Sequence, residues 1–474
     1  MSRDADDLAE LKSRPEADED LEDLALEEDY ALNPDYVREV DDALDRGDAE
    51  RLRELLNALR SEDIADLMGF LSADDREELL HHLDPEVLAE VLPELDTEIR
   101  EDLVDLVEPA ALARALGEMD SDDAADVVDD LEAGRRAQVL AAMPDIERAA
   151  IETALAYEEE TAGRLMQREV VAAPQFWTVG QTIDHLRRES DELPELFFDV
   201  YVVDPSYHPV GACPVSHLLR SKRDIPLAQI MEPITDIPVD MDQEEVAYIF
   251  DKYNLISAPV VEPGGRLVGQ ITVDDIVGVI AEESEEDILA LAGVSDAGRD
   301  AGVFGIVKSR LPWLLINTLT AAMAASVIRA FEGEIVKLAV LAVLMPIVAS
   351  LGGNAGTQTL AVAVRALASR ELSAVNAVRT VSREMTVGVL NGTALAAITG
   401  TILYFLFRDL RLSIAFGAAL VINLFVASLA GALVPLALDR MGRDPAVSSS
   451  VFVTFVTDFT GFFAFLGLAA LILL

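Results

Sequence analysis

The last thirty residues, Pro445 to Leu474, carry a single charged side chain, Asp458. An apolar run of this length can cross a lipid bilayer as a helix. A carboxylate near the middle of such a span costs at least about 2.5 kcal/mol unless a polar or cationic group meets it. Asp458 could bind a hydroxyl of a neighbouring helix for assembly, or it could face a cation pathway. We favour the cation pathway, because ionisable residues inside membranes commonly mark ion routes.

Charge is divided unevenly along the 474 residues. Met1 to Ser309 holds 25 basic and 78 acidic side chains, a net charge of −53, whereas Arg310 to Leu474 holds 11 and 8, a net charge of +3. So acidic a surface repels nucleic acid and attracts cations, which argues against a nucleic-acid partner. Only 5 of the 36 basic residues are lysine, so we interpret most of the acidity as adaptation to a salt-rich cytoplasm. We therefore expect metal sites only where carboxylates cluster.

The composition predicts a multidomain membrane protein with five parts. These are an acidic disordered tail (1–33), an acidic all-α array of paired helices (34–160), an α/β region (161–281), a linking helix (282–309) and a membrane domain of five helices (310–474). Pro85 and Pro109, 24 residues apart, each suit the first turn of a helix in the acidic array. Met1 to Asp7 shows no apolar signal segment, so we expect the soluble domains in the cytoplasm.

The α/β region contains an internal duplication. Met166 to Pro174 parallels Met231 to Pro238, and Tyr201 to Gly211 parallels Pro259 to Gly269. Phe198 to Val203 and Ala258 to Val261 are predicted strands, and Thr182 to Arg188 and Gln243 to Tyr253 are predicted helices. Two such βαββα units resemble a tandem pair of cystathionine-β-synthase-type (CBS) domains.

That resemblance implies a nucleotide site. Gly269 to Asp275 matches the CBS turn in which Thr272 and Asp275 would grip the phosphate and ribose of ATP or another adenine nucleotide. The first unit has Pro214 and His217 at the corresponding places, so one adenosine site is expected rather than two. A structural CBS pair without nucleotide remains the alternative.

Five apolar stretches follow. They are Leu311 to Phe331, Leu338 to Val364, Met385 to Phe407, Leu412 to Leu438 and Pro445 to Leu474. With a cytoplasmic start, eight basic residues flank the spans inside and four outside, which predicts a multi-pass protein of the cell membrane with its C-terminus outside. In the second stretch, Pro346 and the glycines up to Gln358 predict a loosened helix that lines a pore. Gly400, Gly417 and Gly431 are predicted helix contacts without a functional role.

Between the soluble and membrane parts, Glu282 to Asp287 is predicted to form the acidic first turn of a helix that continues to Val294, as the helix dipole favours. Carboxylates at this position are better candidates for cation binding than those scattered over the surface. Asp122 and Asp126, four residues apart on one helix face, are a further candidate pair, because like charges there repel unless a cation bridges them.

Taken together, this order of parts resembles the MgtE family of magnesium channels. The resemblance also rests on Asp122 to Asp126, Leu311 to Trp313, Gly352 to Gln358, Asp444 to Ala446 and Thr457 to Gly461, and it covers about Pro34 to Leu474.

The resemblance implies a homodimeric, Mg²⁺-selective pore on a two-fold axis, with Asp458 of both subunits facing the ion and with Gly352, Gly353, Asn354 and Gln358 along the pore. Cytosolic Mg²⁺ would also bind between the soluble domains and the linking helix and close the pore. The sensor residues implied are Glu90, Asp122, Asp126, Asp242, Asp275, Glu286 and Asp287. Asn254 and Gly278 stand where family members can carry acids.

Two other functions remain open. The chain could be a transporter of another divalent cation or solute regulated by adenine nucleotide, or a membrane-anchored CBS sensor without a pore. An enzyme is not expected, because no membrane nucleophile stands beside a base and His81-His82 has no metal-ligand partner at the usual spacing.

Overall fold

The structure is a computed structural model that describes residues 24–27, 29–190, 193–194, 196–292, 294, 303–370, 372, 377–446 and 449–473. Most of the acidic tail predicted over 1–33 lies outside these residues. The chain forms two compact units, Met1–Ile280 and Ala281–Leu474.

Between Pro34 and Ala154, all of which the structure describes, the first unit forms ten short helices, which confirms the all-α prediction. They are α1 (Pro34–Arg46), α2 (Ala49–Asn57), α3 (Ser61–Phe70), α4 (Ala73–Leu80), α5 (Pro85–Glu94), α6 (Thr97–Val104), α7 (Pro109–Glu118), α8 (Ser121–Asp129), α9 (Ala133–Ala142) and α10 (Asp145–Ala154). Pro85 and Pro109 each occupy the first turn of their helix, as predicted. Apolar side chains at helical spacing, including Leu67, Val91 and Leu112, form one continuous buried core.

The α/β region of the first unit consists of two similar halves. Its elements are α11 (Ala162–Leu165), β1 (Ala172–Pro174), α12 (Val179–Arg188), β2 (Asp199–Val203), β3 (Pro209–Pro214), α13 (Val215–Arg220), β4 (Ile237–Pro238), α14 (Gln243–Tyr253), β5 (Ser257–Val261) and β6 (Leu267–Thr272). Each half has a three-stranded sheet, in the orders β1-β2-β3 and β4-β5-β6, with one parallel and one antiparallel pair. Both antiparallel pairs shift register at the equivalent place, Val202/Val203 and Val260/Val261. The predicted duplication is therefore confirmed.

The acidic stretch Glu282 to Asp287 does not begin a helix, so that prediction was wrong. It lies inside α15, which runs from Val273 to Leu291. Asp274 and Asp275 already fill the first turn of this helix, and no proline interrupts it afterwards. Gly293 and residues 295–302, the middle of the predicted link, lie outside the described residues.

The second unit contains the membrane helices. They are α16 (Val303–Ala330), a short α17 (Glu332–Lys337), α18 (Val340–Ala368), α19 (Ala377–Phe407), α20 (Leu410–Arg440) and α21 (Ser449–Leu473). Five of the helices in the described part of the chain are long and apolar enough to cross a bilayer, which confirms the five predicted spans.

The glycine-rich part of α18 is a continuous helix, so the loosened helix expected there is wrong. Asn423 of α20, fully buried, donates its Nδ2 hydrogen to the Val348 carbonyl over 2.8 Å. Gly352 and Gly461 leave room for this amide: a Cβ at Gly352 would collide with Asn423 Nδ2, and one at Gly461 would stand 2.8 Å from it. Glycine here serves close packing of three helices rather than an opening of the backbone.

The role predicted for Gly431 is confirmed by the same kind of contact. A Cβ at Gly431 would lie 2.6 Å from the Gly356 carbonyl oxygen, so α18 and α20 touch backbone to backbone. A Cβ at Gly417 would lie 3.4 Å from the Ala396 Cβ, and one at Gly400 would lie 3.5 Å from the Ser413 carbonyl oxygen. Both are ordinary van der Waals distances.

Gly352→Ala should lower the free energy of unfolding by about 1–3 kcal/mol, because the added methyl group collides with Asn423 in a packed interior. Gly353→Ala is the matched control: a Cβ there meets nothing within 4 Å, and alanine favours the helix by up to about 1 kcal/mol. Thermal unfolding of the detergent-solubilised protein measures both variants. Equal transition temperatures for the two would contradict the packing role.

Candidate functional site

Two acidic helix starts face each other in the first unit. Helix α8 begins with Asp120 as its N-cap and with Asp122 and Asp123 in its first turn, and α15 begins with Asp274 and Asp275. The positive end of a helix stabilises a carboxylate, but here several carboxyl groups lie close enough to repel one another. Six carboxyl groups interact electrostatically here, and we call them the acidic cluster. They belong to Glu94, Asp120, Asp122, Asp123, Asp274 and Asp275.

A hydrogen-bonded contact holds α8 against the strand-bearing half of the unit. The Ser121 hydroxyl donates to Glu169 Oε2 over 2.9 Å and accepts the backbone N–H of Arg168 over 2.8 Å. Arg164 Nη2 lies 3.0 Å from Asp126 Oδ1 and 3.1 Å from Asp129 Oδ2. These contacts hold α8 against residues 164–169 in this arrangement.

Asp122 is the most constrained member of the acidic cluster. Its side chain is 6% exposed, and Oδ1 has no hydrogen-bond partner in the part of the chain that the structure describes. Burial raises the pKa of Asp122 well above its usual value, and the charges of Asp275, Asp123 and Asp120 raise it further. A buried acceptor without a partner is costly, so this oxygen is suited to a ligand that carries positive charge or donates a hydrogen bond.

The neighbouring carboxyl groups of Asp123 and Asp275 also have raised pKa values. Burial raises the pKa of Asp123 to about 7, with further contributions from Asp275 and Asp120. Burial and the charge of Asp274 raise the pKa of Asp275 to about 6, although Thr272 donates a hydrogen bond to its Oδ2 over 3.0 Å. A divalent cation among these groups would relieve the repulsion and favour their ionised forms.

The structure brings together Asp122 and Asp275 of the predicted sensor and adds four residues that the sequence reasoning missed: Glu94, Asp120, Asp123 and Asp274. The signal for three of them was present, because Asp122-Asp123 and Asp274-Asp275 are Asp-Asp pairs at helix starts and Asp120 precedes the first pair by two residues. Glu94 gave no such signal, since it reaches the cluster only through the packing of α5.

Other predicted sensor residues of this unit have protein partners. Glu90 is exposed and accepts the Ser61 hydroxyl over 2.5 Å. Asp242 is the N-cap of α14 and accepts the Glu244 backbone N–H over 3.0 Å. Asp126 lies near Asp123 but pairs with Arg164. A hydroxyl hydrogen bond, helix capping and an ion pair respectively engage these three residues, and their role as sensor residues stays a prediction.

Asn254 and Gly278, which stand where family members can carry acids, add no charge in this unit. Asn254 ends α14 in the left-handed conformation, with φ 52°, which asparagine tolerates well. A Cβ at Gly278 would meet nothing within 4 Å.

Thr272 and Asp275, the predicted nucleotide grip, bind each other. Asp275 also belongs to the acidic cluster, and the binding of an adenine nucleotide at this turn stays a prediction. In the first half, Pro214 precedes α13, and His217 Nδ1 lies 3.2 Å from Glu232 Oε1.

Within the second unit, Glu286 and Asp287 lie in the last turns of α15. Burial raises the pKa of Asp287 to about 6, followed by the charges of Asp444, Glu283 and Glu286. Asp444 is held in place by the Ala446 backbone N–H, which donates to its Oδ1 over 2.7 Å. Asp444 is therefore a further carboxylate that the predicted sensor did not include.

In the membrane part, Asp458 is half-buried on α21, and no ion pair or hydrogen bond engages its carboxylate among the described residues. Helix α21 packs on α18 where Gly356 meets Val453 and Thr457. On α18, Asn354 and Gln358 are exposed one turn apart, Gly353 faces open space, and Gly352 is occupied by its contact with Asn423.

Across the described ranges, no group of three or more His, Cys, Asp or Glu side chains is arranged to hold a metal ion.

Comparison with known families decides what kind of protein carries these sites. Residues 345–468 match a family model described as a divalent cation transporter, MgtE; residues 59–160 match the MgtE intracellular N domain and residues 227–282 match a CBS domain. A relative from Thermus thermophilus, named magnesium transporter MgtE, is 35% identical over 330 residues, which are 69% of this chain and 73% of the relative. The chain belongs to the MgtE family.

Further relatives agree. A magnesium transporter MgtE from Enterococcus faecalis is 34% identical over 69% of this chain and 72% of its own length. Two solved structures are also similar. The soluble part of a magnesium transporter is 30% identical, with a TM-score of 0.48 over 53% of this chain and 98% of its own. The cytosolic domain of the Mg²⁺ channel MgtE in complex with ATP is 32% identical, with a TM-score of 0.49 over 51% and 99%.

The acidic cluster should make the stability of the protein depend on pH. The pKa values of Asp123 and Asp275 in the fold, about 7 and about 6, exceed the ordinary value of 3.8. The two groups therefore bind more protons in the folded than in the unfolded state between about pH 4 and 7, so in EDTA the stability that they contribute is greatest below about pH 4 and falls as the pH rises through that window. Thermal unfolding monitored by circular dichroism should show a lower transition temperature at pH 7.5 than at pH 5.5.

Asp123→Asn should raise the stability at pH 7.5 by about 1–2 kcal/mol and flatten the pH dependence. Asp41→Asn, which removes an exposed charge from α1, is the control and should change neither. Added Mg²⁺ should stabilise the unsubstituted protein more at pH 7.5 than at pH 5.5. A transition temperature independent of pH would contradict the raised pKa values.

Proposed function

We propose that this MgtE family member is a Mg²⁺ channel of the cell membrane in which Asp458 is the ion site. The observation that carries the proposal is a half-buried membrane carboxylate with no partner among the described residues. A group so costly to desolvate needs compensation, and a mobile cation supplies it. The divalent cation transporter family of residues 345–468 supports a divalent ion, and the names of the relatives support Mg²⁺.

We propose further that two copies of the chain form the pore. One Asp458 from each subunit across a two-fold axis would attract a divalent ion through its water shell, because Mg²⁺ loses water reluctantly. The exposed polar side chains of Asn354 and Gln358, with the adjoining Gly353, would lie along the same route and bind that water. Gly352 would support the route by positioning α18 against Asn423. An odd number of spans then leaves the C-terminus outside.

The acidic cluster is proposed to be the regulatory Mg²⁺ site. Asp122 and Asp275 come from different domains of the first unit, and Asp122 Oδ1 is buried with no hydrogen-bond partner among the residues that the structure describes. Binding of cytosolic Mg²⁺ would neutralise the cluster and favour the arrangement in which α8 and α15 approach each other. Helix α15 continues to Glu286 and Asp287, so we propose that it passes this change to the pore and closes it.

Replacement of Asp458 tests the ion site. Asp458→Asn should lower Mg²⁺ uptake into proteoliposomes at least about ten-fold, which corresponds to the loss of one charge-assisted contact. Asp439→Asn is the matched control, since Asp439 is an exposed acid in the last turns of α20. Unchanged uptake in Asp458→Asn would leave a membrane-anchored sensor without a pore. Parallel assays with Co²⁺ and Ni²⁺ distinguish a carrier of another divalent ion.

Replacement of Asp122 and Asp275 tests the gate. In Asp122→Asn/Asp275→Asn, the internal Mg²⁺ concentration that halves the flux should rise about ten-fold, while the maximal flux stays the same. Asp41→Asn/Asp45→Asn removes two exposed charges from α1 and should leave that concentration unchanged. Flux through inside-out patches at fixed internal Mg²⁺ measures both. Equal inhibition in all variants would overturn the gating proposal and leave the ion site untouched.

A further inference from the structure

An open groove of about 510 Å³ lies between α19 and α20. Its lining includes Thr393, Ala397, Gly400, Thr401, Tyr404 and Ser413. The volume falls within the usual range of small-molecule sites. The groove shares no residue with Asp458, the acidic cluster or the glycine-rich part of α18.

The walls of this groove are effectively apolar. The hydroxyls of Thr393 and Thr401 each donate to the carbonyl four residues earlier on α19, over 2.8 and 2.6 Å. The Ser413 hydroxyl donates in the same way to the Asp409 carbonyl over 2.9 Å. With these donors satisfied, the groove offers mainly methyl and methylene groups to an occupant, which suits a hydrocarbon chain and excludes a polar solute.

The length of the groove matches half a bilayer. From Thr393 to Tyr404 the wall formed by α19 is about 16 Å long at 1.5 Å per residue, and one leaflet of the hydrocarbon core is about 15 Å deep. Tyr404 stands at the end of α19, where aromatic side chains commonly mark the membrane surface. An acyl chain that entered from this end would occupy the groove over the depth of its own leaflet.

Two arginines stand at that same end. Arg408 follows α19, donates its backbone N–H to the Tyr404 carbonyl over 2.9 Å, and holds its guanidinium 5.7 Å from the centre of the Phe405 ring. Arg411 belongs to the first turn of α20, next to Leu410 of the groove lining. Both side chains are exposed, and neither makes an ion pair within the described part of the chain.

The acid between these arginines is already engaged. Asp409 Oδ1 accepts the backbone N–H groups of Arg411 and Leu412 over 2.9 and 3.2 Å and so caps α20. The two guanidinium groups therefore remain available to an anion at the mouth of an apolar groove.

We propose that this groove binds one acyl chain of an anionic phospholipid and that Arg408 and Arg411 bind its phosphate headgroup. The positive charges of Arg408 and Arg411 favour an anionic headgroup, and the apolar walls of the groove favour an acyl chain. By the proposed topology, the lipid belongs to the outer leaflet.

The test is native mass spectrometry of the full-length protein in detergent with equal amounts of phosphatidylglycerol and phosphatidylcholine that carry the same acyl chains. The unsubstituted protein should retain phosphatidylglycerol about ten-fold over phosphatidylcholine, since each basic group near a lipid surface strengthens binding several-fold. Arg408→Gln/Arg411→Gln should reduce this preference to about one. Arg329→Gln/Lys337→Gln, which removes one charge from the last turn of α16 and one from α17, should retain this preference.

Filling the groove tests the site for the chain. Ala397→Leu should abolish retention of both lipids, because Ala397 is exposed in the groove wall; Ala394→Leu, exposed on the same helix outside the lining, should not. Thr401→Phe repeats the filling at a second position. Equal retention of the two lipids by the unsubstituted protein, or retention unaffected by either filling variant, would overturn the proposal.

A second copy of the chain is the competing occupant. The only cysteine, Cys213, is buried in the first unit, so Thr401→Cys introduces a single accessible thiol into the groove. Under oxidation we expect no disulfide between copies in lipid vesicles. Efficient cross-linking through Thr401→Cys would show that protein covers the groove and would overturn the lipid assignment.

Discussion

Acidic side chains that no basic side chain neutralises among the described residues are the constraint on which this molecule depends. They occur at Asp458 among apolar helices, and again where α8 and α15 bring several carboxyl groups together. An arginine side chain neutralises acidic groups elsewhere in the same unit, since Arg164 pairs with Asp126 and Asp129. Where arginine is absent, the charge is left for a mobile cation in the function proposed above. In that proposal, regulation and conduction use the same ion.

The architecture could be predicted from the sequence because each part has its own periodicity. The sequence contains three local patterns: helical spacing with Pro85 and Pro109, duplicated strands, and five long apolar runs. Each pattern predicts the helices or sheets that the chain forms at that place. The boundary at Glu282 could not be predicted in the same way. An acidic sextet resembles a helix start, but the true start at Val273 depends on how Thr272 ends a strand and donates to Asp275.

The candidate sites were less predictable, because their members meet only through packing. Asp122 and Asp275 are more than 150 residues apart in sequence, and only the resemblance to a family joined them in advance. Asp242 and Asp126 show a second limit of the sequence, which also suggests sites at residues that the structure engages in another way. Both are acids in suitable segments, yet one caps a helix and the other pairs with Arg164. Residue type identifies a candidate, whereas its partners determine its role.

Asn423 is a third case in which a polar group is left incompletely bound. Its amide nitrogen reaches the Val348 carbonyl, but Oδ1 is buried with no hydrogen-bond partner in the described part of the chain. Such an oxygen leaves about 1–3 kcal/mol of desolvation uncompensated. Any rearrangement of α18, α20 and α21 that admits a water molecule or a donor to this junction recovers part of that energy. The three-helix contact is thus lower in stability than its close packing implies, and an alternative arrangement of these helices starts with a thermodynamic advantage.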